Sequence, residues 1–238
     1  MNTTVSTNAP TFAPAMEEAQ NYTRWVLDQF RDEFGGSVLE VGVGHGGYSS
    51  QMPAGVRYWG LDLEAASVAK ARQKYPQREF FCADITGPDF VAKYAHLQPD
   101  SILCANVIEH IEDDRLAVGN LLRLLAPGGR LLLLVPALPG LYNDLDRLAG
   151  HHRRYIKARL LEAIPAELGT VQKLRYFNSI GALGWYANKF KRYDNIEDQA
   201  VSAQVRFFDR YVLPISRSVD KLIGGSFGQS LIAIVQKL

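Results

Sequence analysis

Apolar residues in this chain form short continuous runs, separated by stretches in which apolar positions have helical spacing. The apolar runs predict strands over residues 37–41, 56–61, 79–82, 101–105 and 130–135. Helical spacing predicts helices over residues 65–74 and 112–125. Strands that are apolar along their whole length are typical of a sheet covered by helices on both faces. The alternation of strands and helices therefore predicts an α/β fold with a doubly wound parallel sheet.

Both ends of the chain depart from this alternation. Residues 16–34 predict an amphipathic helix, which ends at Gly35 and Gly36. After the fifth strand we predict a loop at 136–155, a helix at 157–164 and a strand at 171–177. A long helical block at 178–224 and a final strand at 230–236 follow. We interpret residues 1–36 as a tail and cap helix. Residues 37–238 are interpreted as one Rossmann-like domain, in which the helical insertion at 178–224 covers the substrate.

Composition and charge exclude several classes of protein. The 238 residues are 47% hydrophobic and 21% charged, as expected of a globular chain. With 26 basic and 25 acidic side chains the net charge is +1, which argues against binding to nucleic acid. The two cysteines, Cys82 and Cys104, are too few for a disulfide framework or a cysteine-rich zinc site.

Signals for export and for membrane insertion are absent from the sequence. The first basic residue is Arg24, whereas a secretory signal needs a basic segment ahead of its apolar core. No apolar stretch approaches the ~20 residues that a spanning helix needs. We therefore expect a cytoplasmic protein without an integral membrane span.

A glycine-rich turn follows the first predicted strand. Gly42, Gly44 and Gly46 allow the backbone to turn sharply and to approach a ligand closely. Asp62 ends the second strand, 20 residues after Gly42, where a carboxylate can accept hydrogen bonds from both hydroxyl groups of a ribose. With Gly47 included, the glycines also fit the dinucleotide pattern G-x-G-x-x-G. These residues alone therefore indicate only a nucleoside-containing cofactor.

Other positions distinguish between nucleoside cofactors. Glu40 lies two residues before the first glycine, where its charge would repel a pyrophosphate and attract an ammonium or sulfonium group. Asp84, after the third strand, can accept a hydrogen bond from an adenine amino group. The segment Asn106–Ile111 follows the fourth strand, at the edge of the sheet where ligands of this fold bind. Together these residues favour a sulfonium cofactor over NAD.

This set of residues resembles the class I S-adenosylmethionine-dependent methyltransferases across residues 37–136. The family motif E-x-G-x-G-x-G is matched from Glu40 to Gly46, with His45 where small or apolar residues are common. Segments at 21–25, 145–155 and 227–232 resemble a bacterial small-molecule subgroup of the type-11 or type-23 kind. The resemblance implies that S-adenosylmethionine is bound by Tyr22, Trp25, Glu40, Gly42, Gly44, Gly46, Asp62, Leu63, Asp84, Ile85, Asn106 and Val107.

The reaction implied by this resemblance is an in-line displacement at the methyl carbon. The acceptor must also lose a proton, and an imidazole is the usual base near neutral pH. The candidates for this catalytic role are His151, His110 and Tyr155. The acidic run Glu112–Asp114 fits the start of a helix better than a metal site, so we expect no metal ion.

The acceptor is assigned to the loop that follows the fifth strand. We expect it to contact His152, Arg153, Arg154 and Tyr142. The two arginines would suit a phosphate or carboxylate group, which makes a small anionic acceptor one interpretation. An apolar face at 206–213 leaves open pairing with a second copy of the chain, as a homodimer, or contact with a membrane surface.

The function expected from the sequence is methyl transfer to oxygen or nitrogen of a natural product, a sugar or a related metabolite. Three alternatives remain. They are C-methylation of a small or prenylated acceptor, an NAD-dependent oxidoreductase, and a cofactor-binding subunit without catalysis. Glu40, Asp84 and the segment Asn106–Ile111 argue against the oxidoreductase.

Overall fold

A computed structural model describes residues 19–44, 46–53, 55–193 and 199–238. Its strands are β1 Ser37–Val41, β2 Arg57–Asp62, β3 Glu79–Cys82, β4 Ser101–Ala105, β5 Arg130–Pro136, β6 Gly169–Phe177 and β7 Ser230–Lys237. They form one sheet in the order β3-β2-β1-β4-β5-β7-β6. Strands β1 to β5 are parallel, and the strand order reverses between β1 and β4. In such sheets ligands bind in the crevice at this reversal, outside the carboxyl ends of the strands.

Helices cover the sheet and fill the connection between β6 and β7. They are α1 Gln20–Asp28, α2 Ala65–Lys74, α3 Phe90–Tyr94, α4 Asp114–Leu124, α5 Asp144–Leu148, α6 Lys157–Ala163, α7 Ser179–Ala187, α8 Gln199–Phe207 and α9 Leu213–Ile223. A π-helical turn, Phe208–Val212, joins α8 to α9. Single 3-10 turns lie at Arg31–Glu33, Ser49–Gln51, Ile108–His110, Pro139–Leu141 and Asn188–Phe190. Within the described ranges, no helix has both the length and the apolarity needed to cross a membrane.

The strands separate two buried apolar clusters, one on each face of the sheet. Along β1, Val38 belongs to one cluster and Leu39 to the other, as expected for successive residues of a strand. From Leu131 to Val135, every residue of β5 is fully buried. This burial on both faces is the reason that β5 is apolar at every position.

The predicted Rossmann-like α/β fold is confirmed, and each strand expected from the apolar pattern is present. One strand departs from the expected parallel arrangement, since β7 runs antiparallel to both β5 and β6. A strand that is buried on both faces has the same apolar pattern in either direction, so the sequence does not reveal this reversal. The helices α3 and α5 were not predicted, because each spans a single short segment of five residues.

The predicted insertion packs against α1 and against the loop after β5. Asp209, in the π-helical turn, accepts hydrogen bonds from the backbone N–H of Tyr22 (2.7 Å) and from Nδ2 of Asn21 (3.0 Å). Trp185 of α7 donates from Nε1 to Oδ2 of Asp146 at 3.2 Å. The insertion therefore lies beside the N-terminal helix and the loop after β5. Its role as a cover over the substrate stays a prediction, as does the division at residue 36.

Candidate active site

The turn after β1 is formed by glycines in a left-handed conformation. Gly42, Gly44 and Gly46 have φ angles of 76°, 49° and 80°, a region that favours glycine. A Cβ atom on Gly42 would lie 2.4 Å from Cγ2 of Val107, so the turns after β1 and β4 are in close contact. The structure thus brings these four predicted cofactor residues together. His45, where the sequence departs from the family motif, lies outside the described residues.

Glu40 presents a buried carboxyl group beside this turn. It is 1% exposed, and its Oε2 accepts hydrogen bonds from the hydroxyl groups of Tyr58 (2.7 Å) and Ser49 (3.4 Å). Burial raises the pKa of Glu40 to about 8, although both hydrogen bonds act to lower it. Oε1 has no hydrogen-bond partner within the described residues. This oxygen is therefore available to a donor on a ligand.

Asp62 lies at the carboxyl end of β2 and is tied to the glycine turn. Its Oδ2 accepts a hydrogen bond from the backbone N–H of Gly44 at 2.8 Å, and its Oδ1 accepts one from Glu64 at 2.9 Å. Burial raises the pKa of Asp62 above its ordinary value. Each oxygen keeps a further lone pair, so the carboxylate can also accept hydrogen bonds from two ligand hydroxyl groups. Leu63 follows with 71% of its surface exposed.

Asp84 and Ile85 follow β3 and have different surroundings. Asp84 is exposed, and its Oδ1 accepts hydrogen bonds from the backbone and hydroxyl groups of Thr86, at 2.8 and 2.7 Å. Ile85 is 4% exposed, and its carbonyl oxygen accepts a hydrogen bond from Asn120 at 2.8 Å. Asp84 can thus reach a ligand at this edge, whereas the side chain of Ile85 belongs to the core.

Asn106 turns the chain at the end of β4. Its φ angle of 54° is left-handed, a conformation that asparagine tolerates better than most residues. Its backbone N–H donates to the carbonyl oxygen of Leu134 at 2.8 Å, which holds the turn against β5. As a result, Val107 points at the glycine turn, and the 3-10 turn Ile108–His110 begins at the carboxyl edge of the sheet.

The aromatic residues of α1 pack on the strand that precedes the insertion. Trp25 is 5% exposed, and its ring centroid lies 4.3 Å from that of Phe177. Tyr22 lies against both rings, with centroid distances of 6.3 Å. Burial raises the pKa of Tyr22 to about 12. These contacts favour core packing for Trp25, whereas Tyr22 lies at the edge of the aromatic group.

Tyr48 is a residue of this region that the sequence did not single out. Burial raises the pKa of Tyr48 well above its ordinary value, and the charges of Glu40 and Glu109 raise it further. Tyr48 is therefore close enough to the buried carboxyl groups of Glu40, in β1, and Glu109, after β4, to sense their charges. A tyrosine after a glycine turn carries no sequence signal that separates it from a core residue.

Two predicted catalytic histidines meet a glutamate at the carboxyl edge of β4. One ligand atom each from Glu109, His110 and His151 lies within 4.8 Å of the others, a spacing that could hold a metal ion. The imidazole rings of His110 and His151 are 4.7 Å apart at 83°. Nδ1 of His151 lies 2.9 Å from Oδ1 of Asp146, and its Nε2 lies 3.9 Å from Oε1 of Glu109.

Burial dominates the electrostatics of this cluster. Glu109 is fully buried, and neither of its carboxyl oxygens has a hydrogen-bond partner within the described residues. Burial raises the pKa of Glu109 to about 7 and lowers that of His110 to about 4. For Asp146, hydrogen bonds and charge from His151 and Arg154 outweigh burial and lower the pKa. From the sequence, Glu109 was considered only as part of the segment Asn106–Ile111, and Asp146 was given no role.

Tyr155, a predicted catalytic residue, lies in the core. It is fully buried, and its hydroxyl group donates to Oδ2 of Asp114 at 2.9 Å. Arg153 and Arg159 pair with the same carboxylate, at 2.9 and 2.7 Å. Burial acts to raise the pKa of Asp114, but the hydrogen bonds from Arg159, Tyr155 and Arg153 lower it below its ordinary value. These contacts favour a structural role for Tyr155 and Arg153.

The remaining residues predicted for the acceptor differ in exposure. Arg154 is 4% exposed and donates to Asp146 and to the carbonyl oxygen of Ala137, so its charge is neutralised within the protein. Tyr142 donates from its hydroxyl group to the carbonyl oxygen of His151 at 2.8 Å. His152 is exposed. The predicted arginine clamp for an anion is therefore engaged in ion pairs of its own, while His152 stays open to a ligand.

Comparisons with known proteins identify the central part of this chain. Residues 39–133 match the family model described as "Methyltransferase domain". A probable S-adenosylmethionine-dependent methyltransferase of Mycolicibacterium smegmatis is 36% identical over 107 residues, which cover 43% of this chain. The match spans only 38% of the length of that relative.

Solved structures are similar over most of the chain. A putative methyltransferase from Bacillus halodurans has a TM-score of 0.58 at 16% identity, covering 89% of this chain and 97% of its own. A geranyl diphosphate methyltransferase in complex with S-adenosylmethionine has a TM-score of 0.59 at 13% identity, covering 92% and 85%. At these identities the similarity supports the fold alone.

The fold, the glycine turn and the family match agree with one another. Residues 39–133 are similar to a methyltransferase domain, and the sheet that they form has a Rossmann-like order of strands. The predicted resemblance to the class I S-adenosylmethionine-dependent methyltransferases is thereby confirmed, and S-adenosylmethionine is the cofactor that this resemblance implies. The roles of individual residues stay predictions.

Proposed function

We propose that this protein transfers the methyl group of S-adenosylmethionine to an oxygen or nitrogen atom of a small molecule. The observation that carries the proposal is Oε1 of Glu40, a buried acceptor beside the glycine turn that no described residue satisfies. A cofactor with an ammonium group supplies the missing donor and favours the ionised carboxylate, whereas a pyrophosphate would bring only further acceptor oxygens to this position.

The described residues fit the parts of this cofactor. Glu40 would accept a hydrogen bond from the ammonium group, and Asp62 would accept hydrogen bonds from the ribose hydroxyl groups. Asp84, which is exposed at the end of β3, would accept a hydrogen bond from the adenine amino group. Gly42 and Gly44 would let the backbone approach the cofactor, because neither carries a side chain in its left-handed turn.

Methyl transfer requires the protein mainly to align the acceptor with the methyl carbon, because the sulfonium already activates that carbon. A lone pair of the acceptor forms a bond to the methyl carbon while the carbon–sulfur bond breaks and leaves its electrons on sulfur. When the acceptor is a hydroxyl group, its proton must also leave. The hydrogen bond between His151 and Asp146 holds Nδ1 in its protonated form, which presents the lone pair of Nε2 towards the interior. This lone pair is suited to a proton or to a metal ion.

The acceptor in this proposal is a natural product, a sugar or a related metabolite. Arg153 and Arg154 are paired with Asp114 and Asp146, so the proposal places no anionic group of the acceptor on them. His152 and the loop after β5 supply the surface that faces it. Cytoplasmic location and a homodimer stay predictions from the sequence.

Titration calorimetry with the full chain tests the cofactor. We expect S-adenosylhomocysteine to bind at one site per chain and NAD to give no heat of binding. Binding of NAD without S-adenosylhomocysteine would contradict the proposal and favour the oxidoreductase.

Methyl transfer itself is tested with S-adenosylmethionine labelled at the methyl carbon and a collection of hydroxylated and amino metabolites. We expect the label on oxygen or nitrogen of the product, which carbon NMR shifts distinguish from a methyl group on carbon. A labelled methyl group on carbon would instead support the C-methyltransferase.

A further inference from the structure

The carboxyl edge of β4 and the loop after α5 bring three metal-ligating side chains together. The backbone N–H of His152 donates to the carbonyl oxygen of Glu109 at 2.8 Å, which fixes the loop on the 3-10 turn Ile108–His110. In this arrangement, ligand atoms of Glu109, His110 and His151 lie within 4.8 Å of one another.

The carboxyl group of Glu109 is buried without a hydrogen bond among the described residues. Its side chain is fully buried, and neither carboxyl oxygen has a hydrogen-bond partner within the described part of the chain. Nδ1 of His110 is also buried without a hydrogen-bond partner in that part of the chain. Buried polar groups are almost always satisfied, so a buried carboxyl group without a donor, with ligand atoms of two imidazoles within 4.8 Å, indicates a ligand at this position.

The surroundings of His151 have the form that a metal-binding histidine requires. Its Nδ1 is hydrogen-bonded to Asp146 at 2.9 Å, which leaves Nε2 with its lone pair 3.9 Å from Oε1 of Glu109. Asp146 is itself held by Nε of Arg154 (2.9 Å) and Nε1 of Trp185 (3.2 Å). A carboxylate that orients the second nitrogen of a histidine is a regular part of metal sites.

We propose that Glu109, His110 and His151 bind a divalent first-row transition-metal ion such as Zn²⁺. Two imidazoles and one carboxylate suit such an ion better than Mg²⁺ or Ca²⁺, which prefer oxygen ligands alone. With bonds of about 2.0–2.2 Å, tetrahedral ligand atoms are separated by about 3.3 Å, so small side-chain rotations close the site. This site reverses the expectation from the sequence, which considered only Glu112–Asp114 as metal ligands.

The ion would serve the acceptor, and this part of the inference rests on the proposed function. Three protein ligands leave a coordination position open for an acceptor oxygen. A hydroxyl group bound there loses its proton to solvent more readily, and the resulting oxygen lone pair forms the bond to the methyl carbon. The electrons of the broken carbon–sulfur bond stay on sulfur. His151 would then hold the ion and would not act as the base.

Metal binding can be measured without any methyl transfer. The full chain is treated with EDTA, exchanged into metal-free buffer and titrated with ZnCl₂ in a calorimeter, and the bound metal is counted by mass spectrometry. We expect one Zn²⁺ per chain, and we expect Co²⁺ at the same site to give visible absorption bands of a nitrogen- and oxygen-ligated ion. Absence of uptake by the wild-type chain overturns the proposal.

Variants locate the ion. Glu109→Gln and His151→Asn are expected to weaken Zn²⁺ binding by about a hundredfold or more, and His110→Asn provides a second test if either variant fails to fold. His96→Asn is the matched control, because His96 is an exposed histidine outside the cluster. Equal uptake by all variants would place the ion elsewhere and overturn the proposal.

Titration of the same samples with S-adenosylhomocysteine separates the two proposals. A chain that binds S-adenosylhomocysteine but no Zn²⁺ keeps the proposed function and overturns the metal site. A chain that binds Zn²⁺, with loss in Glu109→Gln, but no S-adenosylhomocysteine supports the metal site and contradicts the proposed function.

Discussion

Glu40 and Glu109 are buried carboxyl groups with opposite surroundings. Glu40 accepts hydrogen bonds from the hydroxyl groups of Tyr58 and Ser49 on one oxygen, so only its second oxygen is left for a ligand. Among the described residues, no donor reaches either oxygen of Glu109, and two imidazole rings lie beside it. The carboxyl group of Glu40 therefore suits a hydrogen bond from a cationic group, and that of Glu109 suits direct coordination of a metal ion.

The raised pKa of Glu40 predicts that cofactor affinity depends on pH. With a pKa of about 8, Glu40 is protonated in the ligand-free protein at pH 6 to 7, whereas an ammonium group favours the ionised form. Binding then releases about one proton, so the Kd of S-adenosylhomocysteine should fall about tenfold as the pH rises from 6 to 7. Calorimetry in buffers of different ionisation enthalpy measures both the Kd and the proton.

Two variants control this prediction. Glu40→Gln should bind the cofactor more weakly and lose the dependence on pH, because glutamine does not titrate. Glu79→Gln, at an exposed position at the start of β3, should keep the slope of the wild-type chain. A Kd of the wild-type chain that stays constant from pH 6 to 7 would contradict the role of Glu40.

Asp114 connects three elements at the start of α4. Its carboxylate accepts hydrogen bonds from Tyr155, in the loop before α6, and from Arg159 of α6. Arg153 pairs with the same group. Because Asp114 is 3% exposed, these contacts are shielded from water, and they join α4 to the segment that carries the predicted acceptor residues.

Removal of this carboxylate should destabilise the whole domain. We expect Asp114→Ala to lower the free energy of unfolding by about 3 kcal/mol, because the substitution removes the acceptor shared by the buried Tyr155 hydroxyl group and two partly buried guanidinium groups. Urea denaturation measures the change. Asp144→Ala is the matched control, since Asp144 also lies in the first turn of a helix but pairs with Arg147 at the surface. This control should lose less than about 1 kcal/mol, and equal losses in both variants would refute the linking role of Asp114.

The elements of the sheet could be predicted because each strand is coded by its own residues. The apolar runs and the glycine turn are local signals, and the position of Asp62 follows from the length of one β–α–β unit. The cluster of Glu109 with His151, by contrast, has no local sequence signal, because its members lie far apart in the chain. It depends on which strands are neighbours and on the hydrogen bond from His152 to Glu109, neither of which appears in the spacing of the residues.

The predicted anion clamp, Arg153 and Arg154, also depends on contacts that the sequence does not reveal. Its spacing and charge suggested a clamp for an anion, but the partners of Arg153 and Arg154 are carboxylates that other segments bring to them. Sequence spacing does not tell whether a guanidinium group faces solvent or another part of the chain. Arg154, for example, is 4% exposed, and only the assembled fold buries it to this extent.

At the scale of the whole molecule, Asp209 joins the helical insertion to α1. Its carboxylate accepts hydrogen bonds from Asn21 and from the backbone of Tyr22, at the first turn of α1. Asp220 makes a separate junction, since it accepts hydrogen bonds from the backbones of Asn178 and Ser179 at the start of α7. Asp209 thus fixes the insertion to the N-terminal helix, and Asp220 holds the start of the insertion against its last helix.

These two junctions should respond separately to substitution. We expect Asp209→Ala to make amide exchange at Tyr22 about tenfold faster or more, because the carboxylate provides the acceptor for that N–H group. Asp220→Ala should accelerate exchange at Asn178 and Ser179 and change exchange at Tyr22 less, because the Tyr22 N–H group keeps Asp209 as its acceptor. Hydrogen–deuterium exchange read by NMR distinguishes the two cases, and unchanged exchange at Tyr22 in Asp209→Ala would refute the junction.

The contact between α1 and Asp209 also has a consequence for how the protein is made. It joins positions 187 and 188 residues apart in the chain. At about 5–20 residues per second, a ribosome needs roughly 10 to 40 s to travel from one partner to the other. The N–H group of Tyr22 has no Asp209 acceptor until that later segment has been made and has left the ribosome. A nascent chain shorter than 209 residues therefore holds α1 without this anchor.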